Sequence, residues 1–198
     1  MTRPRILALP EPEVPAQLRI QALDLQEHAW PGDPAHPAGT VDPRHDPALR
    51  PLCLLLLSDD GRTVLASLDI LSKRLTHAGQ EYAASGLSRV VSSPDHRGRG
   101  HGRRLVVAAR AAVERGGADL GLFTCDTPLR GFYQSAGWEH LPGTVLVGGT
   151  AEGPFPSDRP GFDKATMAAF LTPRARARAA DFRQARIALH PGPVDRLW

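Results

Sequence analysis

The stretch that most restricts the fold is residues 92–106, SSPDHRGRGHGRRLV, because it joins an apolar strand-like run directly to a helical one. Upstream, EYAASGLSRVV reads as a strand. Downstream, Leu105, Ala109, Ala112 and Val113 recur at helical spacing until Gly116 and Gly117 supply a stop. The junction carries four arginines, two histidines and three glycines. Glycines at such a crossing let backbone N–H groups approach an anion closely, and the helix adds the positive end of its dipole. Arg97, Gly100 and Gly102 form R-x-x-G-x-G, with Gly98 a further small residue. A pyrophosphate is the natural ligand of that shape; a mobile basic turn is the other reading of the same residues. The dinucleotide pattern G-x-G-x-x-G does not occur, and no G-K-[ST] follows to make a Walker A loop.

Around the junction the chain reads as alternating sheet and helix segments. RILALPEPEVP is a short strand ending in prolines, and AQLRIQALDLQEHAW places Leu18, Ala22, Leu25 and Ala29 on one helical face. Residues 31–51 contain six prolines and therefore predict a long loop. PLCLLLLSDDGRTVLASLDILS reads as a hairpin turning at Asp59, Asp60 and Gly61, and THAGQ is a second turn. DLGLFTCD is a strand, PLRGFYQSAGW a short helix and LPGTVLVGG a further strand. An edge strand is expected around Met167 to Leu171, and the Arg/Ala-rich RARARAADFRQARIALH is expected to be helical. The order β-α-β-β-β-α-β-α-β is a mixed α+β layout. The expected organisation is a single domain over 1–198, with its core in 52–147, a proline-rich loop at 28–51 and a tail at 173–198.

The net charge of +3 suits a small anionic ligand as well as a nucleic acid. A basic nucleic-acid-binding module is disfavoured because aromatic residues, only 6% of the chain, do not interleave with the basic ones. Cys53 and Cys125 lie in separate apolar runs without C-x-x-C spacing, so neither a disulfide framework nor a metal site is expected. The N-terminus lacks the apolar core of a signal peptide, and LCLLLL is too short to span a bilayer; a cytoplasmic protein with no membrane partner is expected.

SSPDHRGRGHGRRL, followed about thirty residues later by FYQSAGW, resembles the Gcn5-related N-acetyltransferase (GNAT) superfamily over residues 52–147. The resemblance implies a mostly antiparallel central sheet, splayed at the cofactor site and flanked by helices. It implies acetyl-CoA as cofactor, an acetyl group moved to the primary amine of a small molecule, and admits a homodimer. By the same resemblance Arg97, Gly98, Arg99, Gly100, His101, Gly102 and Arg103 line the pyrophosphate, and Val90, Val91 and Ser92 pair with the pantetheine arm. Asp126, where the family often has an asparagine, and Phe132 border the cofactor. Tyr133 is the implied general acid, with a simple packed aromatic as the alternative. Many relatives carry a glutamate on the strand before the cradle, where this chain reads SGLSRVV. That leaves Glu81, Asp69 and a water chain through Ser88 as candidate bases, or a coenzyme A sensor without catalysis.

A narrower resemblance, to aminoglycoside 2'-N-acetyltransferases, rests on FYQSAGW and the closing DRLW. It would turn Asp195 and the Trp198 carboxylate toward a cationic substrate; Trp198 capping the core is the plainer reading. His28, Asp33 and His45, near the proline-rich loop, are either substrate contacts or solvated loop polars. Arg174, Arg176, Arg178, Arg183 and Arg186 read as a solvated helix face.

Overall fold

A computed structural model describes residues 4–31 and 44–198. In chain order the elements are β1 (Arg5–Pro10), α1 (Ala16–Ala29), β2 (Leu52–Leu57), β3 (Val64–His77), β4 (Gln80–Ser92), α2 (His101–Arg115), β5 (Leu120–Asp126), α3 (Arg130–Ser135), β6 (Glu139–His140), β7 (Val145–Gly149), β8 (Pro154–Pro156), β9 (Lys164–Phe170), α4 (Pro173–Ala177) and β10 (Arg186–Ala188). Seven strands form one sheet in the order β1-β2-β3-β4-β5-β9-β6, and β10-β7-β8 form a second. In the large sheet every pairing is antiparallel except β4 with β5.

The unbroken leucines of β2 follow from burial on both faces. Alternate side chains point to opposite sides of a strand, so Leu54 and Leu56 pack with Leu105, Val106, Ala109 and Val113 of α2. Leu55 and Leu57 pack with Ala22 of α1 and the adjoining Val14. Two helices thus sandwich this half of the sheet, and each fully covered leucine contributes about 1.5–3 kcal/mol. Beyond it, the small sheet covers the face that carries Leu120, Leu122 and Ala168.

The pairing of β4 with β5 is confined to Ala84 with Leu120 and Ser85 with Gly121. Beyond those residues the strands part. On the other side of β4, the register with β3 shifts between Ser67 and Asp69, and Arg89 takes a left-handed φ of 50°. A bulge of this kind bends its strand and increases local twist, which carries the end of β4 away from β5 and leaves a V-shaped gap.

Three expectations change. The strand at 164–170 is not an edge: it lies between β5 and β6, because β5, released from β4, pairs along its whole length with β9. LPGTVLVGG does supply a strand, but in the second sheet. The Arg/Ala-rich stretch is helical only over Pro173–Ala177; further on, Arg186–Ala188 pairs as a strand with β7 and buries Ile187, so tertiary packing overrides propensity. Its arginines are anchors rather than a free face: Arg174 pairs with Asp119 at 2.7 Å, Arg186 with Asp158 at 2.7 Å, and Arg183 with Glu139.

After β10 the chain runs closely past β7. Gly149 N–H donates to the Arg196 carbonyl at 2.8 Å, and a Cβ on Gly148 would lie 1.6 Å from that same oxygen. Backbone against backbone cannot yield by a rotamer change. Gly148→Ala is therefore expected to lower the thermal unfolding midpoint by roughly 3–10 °C, the effect of an overpacked position in a chain this size, measurable by circular dichroism.

Candidate active site

The gap between β4 and β5 opens into a cleft of about 460 Å³. Leu87, Ser88, Arg89 and Val90 line it from β4; Thr124, Cys125 and Asp126 line it from β5, with Tyr133 of α3 beside them. The remaining wall is built by Trp30, Leu129, Phe155, Phe162, Lys164 and residues 194–198. This size and mixture suit a small ligand with a few fixed polar contacts.

At the mouth, Gly98 and Gly100 have φ of 74° and 75°, values that an L side chain rarely adopts. Gly100 caps α2 without any side-chain hydrogen bond, so the first-turn N–H groups of a fifteen-residue helix are left for an external acceptor. A Cβ on Gly102 would sit 2.8 Å from Ser92 Oγ and 3.4 Å from the Phe132 ring. The junction is thus shaped for an anion to reach the backbone, with Arg97 and Arg99 exposed beside it. These features fit the pyrophosphate of coenzyme A. Arg103 departs from expectation, since its Nε and Nη2 donate to the Ser135 carbonyl at 3.2 and 2.8 Å. Its side chain ties α2 to the end of α3 instead of facing the cradle.

On the facing wall, Tyr133 is buried, with Phe132 and Phe123 edge-on at 5.0 and 5.1 Å. Burial, then the neighbouring Cys125 and Asp126, push its phenol well above the ordinary range, so it keeps its proton. The Cys125 thiol is raised by burial and by Asp126 to about 11. Asp126 is at the cleft and is held by Lys164 Nζ at 2.5 Å. Val90 faces the cleft, whereas Val91 is buried against the sheet and Ser92 packs below Gly102.

Of the candidate bases, Ser88 is buried at the cleft and stands opposite Asp69 of β3 in register. Glu81 is not at the site. It pairs with Arg74 at 3.2 Å near the β3–β4 turn, seven residues from Ser88 and about 23 Å away along an extended strand. Strand length alone removes it. Asp69 is not among the residues that line the cleft; His45 Nε2 lies 3.2 Å from its Oδ2.

His45, expected to be either a substrate contact or a solvated loop polar, is buried. Its Nδ1 lies 2.6 Å from Asp195 Oδ1, and Asp46 N–H donates to Asp195 Oδ2 at 3.1 Å. Both Asp195 oxygens are therefore engaged by these two groups, although the residue also borders the cleft. No local signal pairs position 45 with 69 and 195, so sequence reasoning missed this cluster. His28 is exposed at the end of α1, and Asp33 lies outside the described residues.

Burial alone would lower the His45 pKa, but hydrogen bonds to Asp195 and then Asp69 outweigh it and raise the value to about 9. The folded value exceeds the ordinary 6.5, so the stabilisation is complete below pH 6.5 and lost as pH climbs through about 9. Asp69 behaves oppositely. Burial would raise it, but the His45 hydrogen bond holds it below the usual carboxylate range, and its contribution is lost in acid. The unfolding midpoint is thus expected to fall between pH 7 and pH 9.5, and His45→Gln to flatten that slope; calorimetry at a series of pH values checks both.

No helix among the described residues is long and apolar enough to cross a membrane. The chain shares its fold with a GNAT family N-acetyltransferase of Escherichia coli (YhbS) solved in complex with CoA, at 19% identity and a TM-score of 0.62, covering 96% of this chain and 91% of that one. It is similar to Escherichia coli ElaA, at 20% identity, a TM-score of 0.57 and coverage of 83% and 98%. It is also similar to an acyl-CoA N-acyltransferase of Pseudomonas aeruginosa, at 18% identity, a TM-score of 0.56 and the same coverage. No curated protein matches it by sequence. The family model described as the acetyltransferase (GNAT) domain matches residues 16–141. Since that stretch runs from α1 through β6 and includes both strands that border the gap, the chain belongs to the GNAT acetyltransferases, N-acetyltransferases that use acetyl-CoA.

Proposed function

We propose that the protein acetylates the primary amine of a small molecule with an apolar or aromatic body. The carrying observation is where exposed apolar surface collects. Five large hydrophobic residues are exposed among those described, and three of them, Trp30, Leu129 and Val194, line the one cleft. Phe155, Phe162 and Trp198 join them there. Clustered exposed apolar side chains mark binding surfaces, whereas scattered ones do not.

In this reading the α2 N-terminus and Gly98, Gly100, His101 and Gly102 hold the pyrophosphate through backbone N–H groups, with Arg97 and Arg99 adding charge. The strand edge at Val90, Val91 and Ser92, free of β5, takes the pantetheine arm. Bound acetyl-CoA supplies the thioester whose carbon the amine attacks, so a C–N bond forms as the C–S bond breaks. Tyr133 holds a proton at Oη and gives it to the departing sulfur; Ser88 holds a water that accepts the proton lost by the amine. The apolar wall fixes the amine against the thioester, where orientation removes much of the entropic barrier.

Thiol release measured over primary amines of graded hydrophobicity tests the acceptor class. From ethanolamine to tryptamine, kcat/KM is expected to rise at least tenfold, a modest outcome for several buried carbons. A flat or inverted series would remove the apolar acceptor while leaving the acetyltransferase intact.

A further inference from the structure

We propose that His45 is a positioning residue for acetyl transfer: by bridging Asp69 of β3 and Asp195, it holds residues 194–198 in place as the acceptor-side wall of the cleft. The role rests on reading that wall as the acceptor's. The three residues come from chain segments separated by 24 and 150 positions, and all are buried. Each imidazole nitrogen faces a carboxylate oxygen, at 2.6 and 3.2 Å. A neutral imidazole has one N–H and would turn a lone pair toward one of the two carboxylates; only the imidazolium satisfies both. The clasp is therefore conditional on a proton.

What the clasp holds is visible at both ends of Asp195. Val194, Asp195, Arg196, Leu197 and Trp198 all border the cleft. The Trp198 indole lies over Gly86, where a Cβ would come within 2.6 Å of the ring. Other ties fix the segment upstream: Lys73 Nζ donates to the carbonyls of Leu189 and His190, both at 2.7 Å. Within residues 194–198, the Gly149 to Arg196 backbone bond and the Asp195 contacts hold the chain.

The groups facing the clasp come from every neighbouring element. From α1, Gln26 Nε2 donates to Asp69 at 3.4 Å, while its Oε1 accepts from Arg44 Nη1 at 3.1 Å. Cys53 of β2 faces Asp69, and burial pushes its thiol far up, so it stays neutral. Arg89 of β4 and Arg44 add positive charge, and Glu11 accepts from Arg44 N–H at 2.7 Å. None of these partners is another imidazole or an amine. Lys73, whose amine burial shifts downward, ties the segment upstream, and comparison with His45→Gln separates its response from that of His45.

The test compares wild type with His45→Gln in steady-state kinetics on tryptamine. At pH 7 the variant is expected to raise the amine KM at least tenfold while leaving the acetyl-CoA KM within twofold. The wild-type to variant difference should close as pH passes 9.5, a ratio in which the ionisation of the amine cancels. Equal increases in both KM values, or a difference constant with pH, would overturn the role. Should His45→Gln fail to fold, Asp195→Asn, which keeps an oxygen for the Asp46 N–H, is expected to show the same amine-selective loss. If tryptamine is not a substrate, the acceptor reading fails and the clasp is read without activity. Trypsin cleavage after Arg196, followed by mass spectrometry and normalised to exposed Arg62, should be slow in wild type at pH 7 and fast at pH 9.5. His45→Gln should be cut quickly at both; a variant as resistant as wild type at pH 7 would sink the proposal.

Discussion

Tyr133→Phe is expected to reduce kcat roughly hundredfold, at the low end for loss of a general acid, with coenzyme A affinity unchanged. The substitution removes one oxygen and keeps the ring, so the edge-on contacts with Phe123 and Phe132 survive. The phenol suits the acid role because its surroundings keep the proton on: burial above all, and the nearby Asp126 carboxylate, disfavour the phenolate. As a base it would be poor for the same reason. Thiol-release kinetics give kcat, and calorimetric titration with coenzyme A gives the affinity. A kcat within threefold of wild type would return Tyr133 to a packing role.

Gly102→Val is expected to weaken coenzyme A binding by roughly a hundredfold or more, since the added side chain enters where N–H groups must meet the pyrophosphate. Even the first added carbon comes within 2.8 Å of Ser92 Oγ, so the Ser92 side chain must turn aside as well. Stability responds differently. Gly102 sits in the first turn of α2, where replacing glycine by valine restores only about 0.3 kcal/mol of helix propensity, against which the Ser92 contact acts. The two readouts therefore separate: calorimetry should show a large loss of affinity, while circular dichroism shows a folded protein. Loss of both together would make Gly102 a structural residue and not part of a cradle.

The glycine junction before α2 and the place of Tyr133 at the cleft were legible because both depend on local sequence. Glycines between a strand and a helix act through their own backbone, and FYQSAGW positions its tyrosine within one short helix. Ser88 and Glu81 show where local reading ends. Both are polar residues on the same strand and plausible from their neighbours, yet strand rise puts Glu81 beside Arg74 at the distant turn. The Arg/Ala-rich stretch failed for a related reason: composition favours a helix, but pairing Arg186–Ala188 with β7 and burying Phe182, Ile187 and Leu189 in one core cluster is worth more than propensity.

From the sequence alone came the alternation of elements, the anion-binding junction and the kinship of its two motifs, because periodicity, glycine placement and short-range spacing are properties of neighbours along the chain. The tertiary structure decided the splay of β4 from β5, the interior place of β9, the apolar wall of the cleft and the union of His45 with Asp69 and Asp195. Each of these depends on which distant segments share a burial site. A histidine in a proline-rich stretch carries no mark of the carboxylates 24 and 150 residues away; only packing brings them within hydrogen-bond reach and, by excluding water, makes their charges matter.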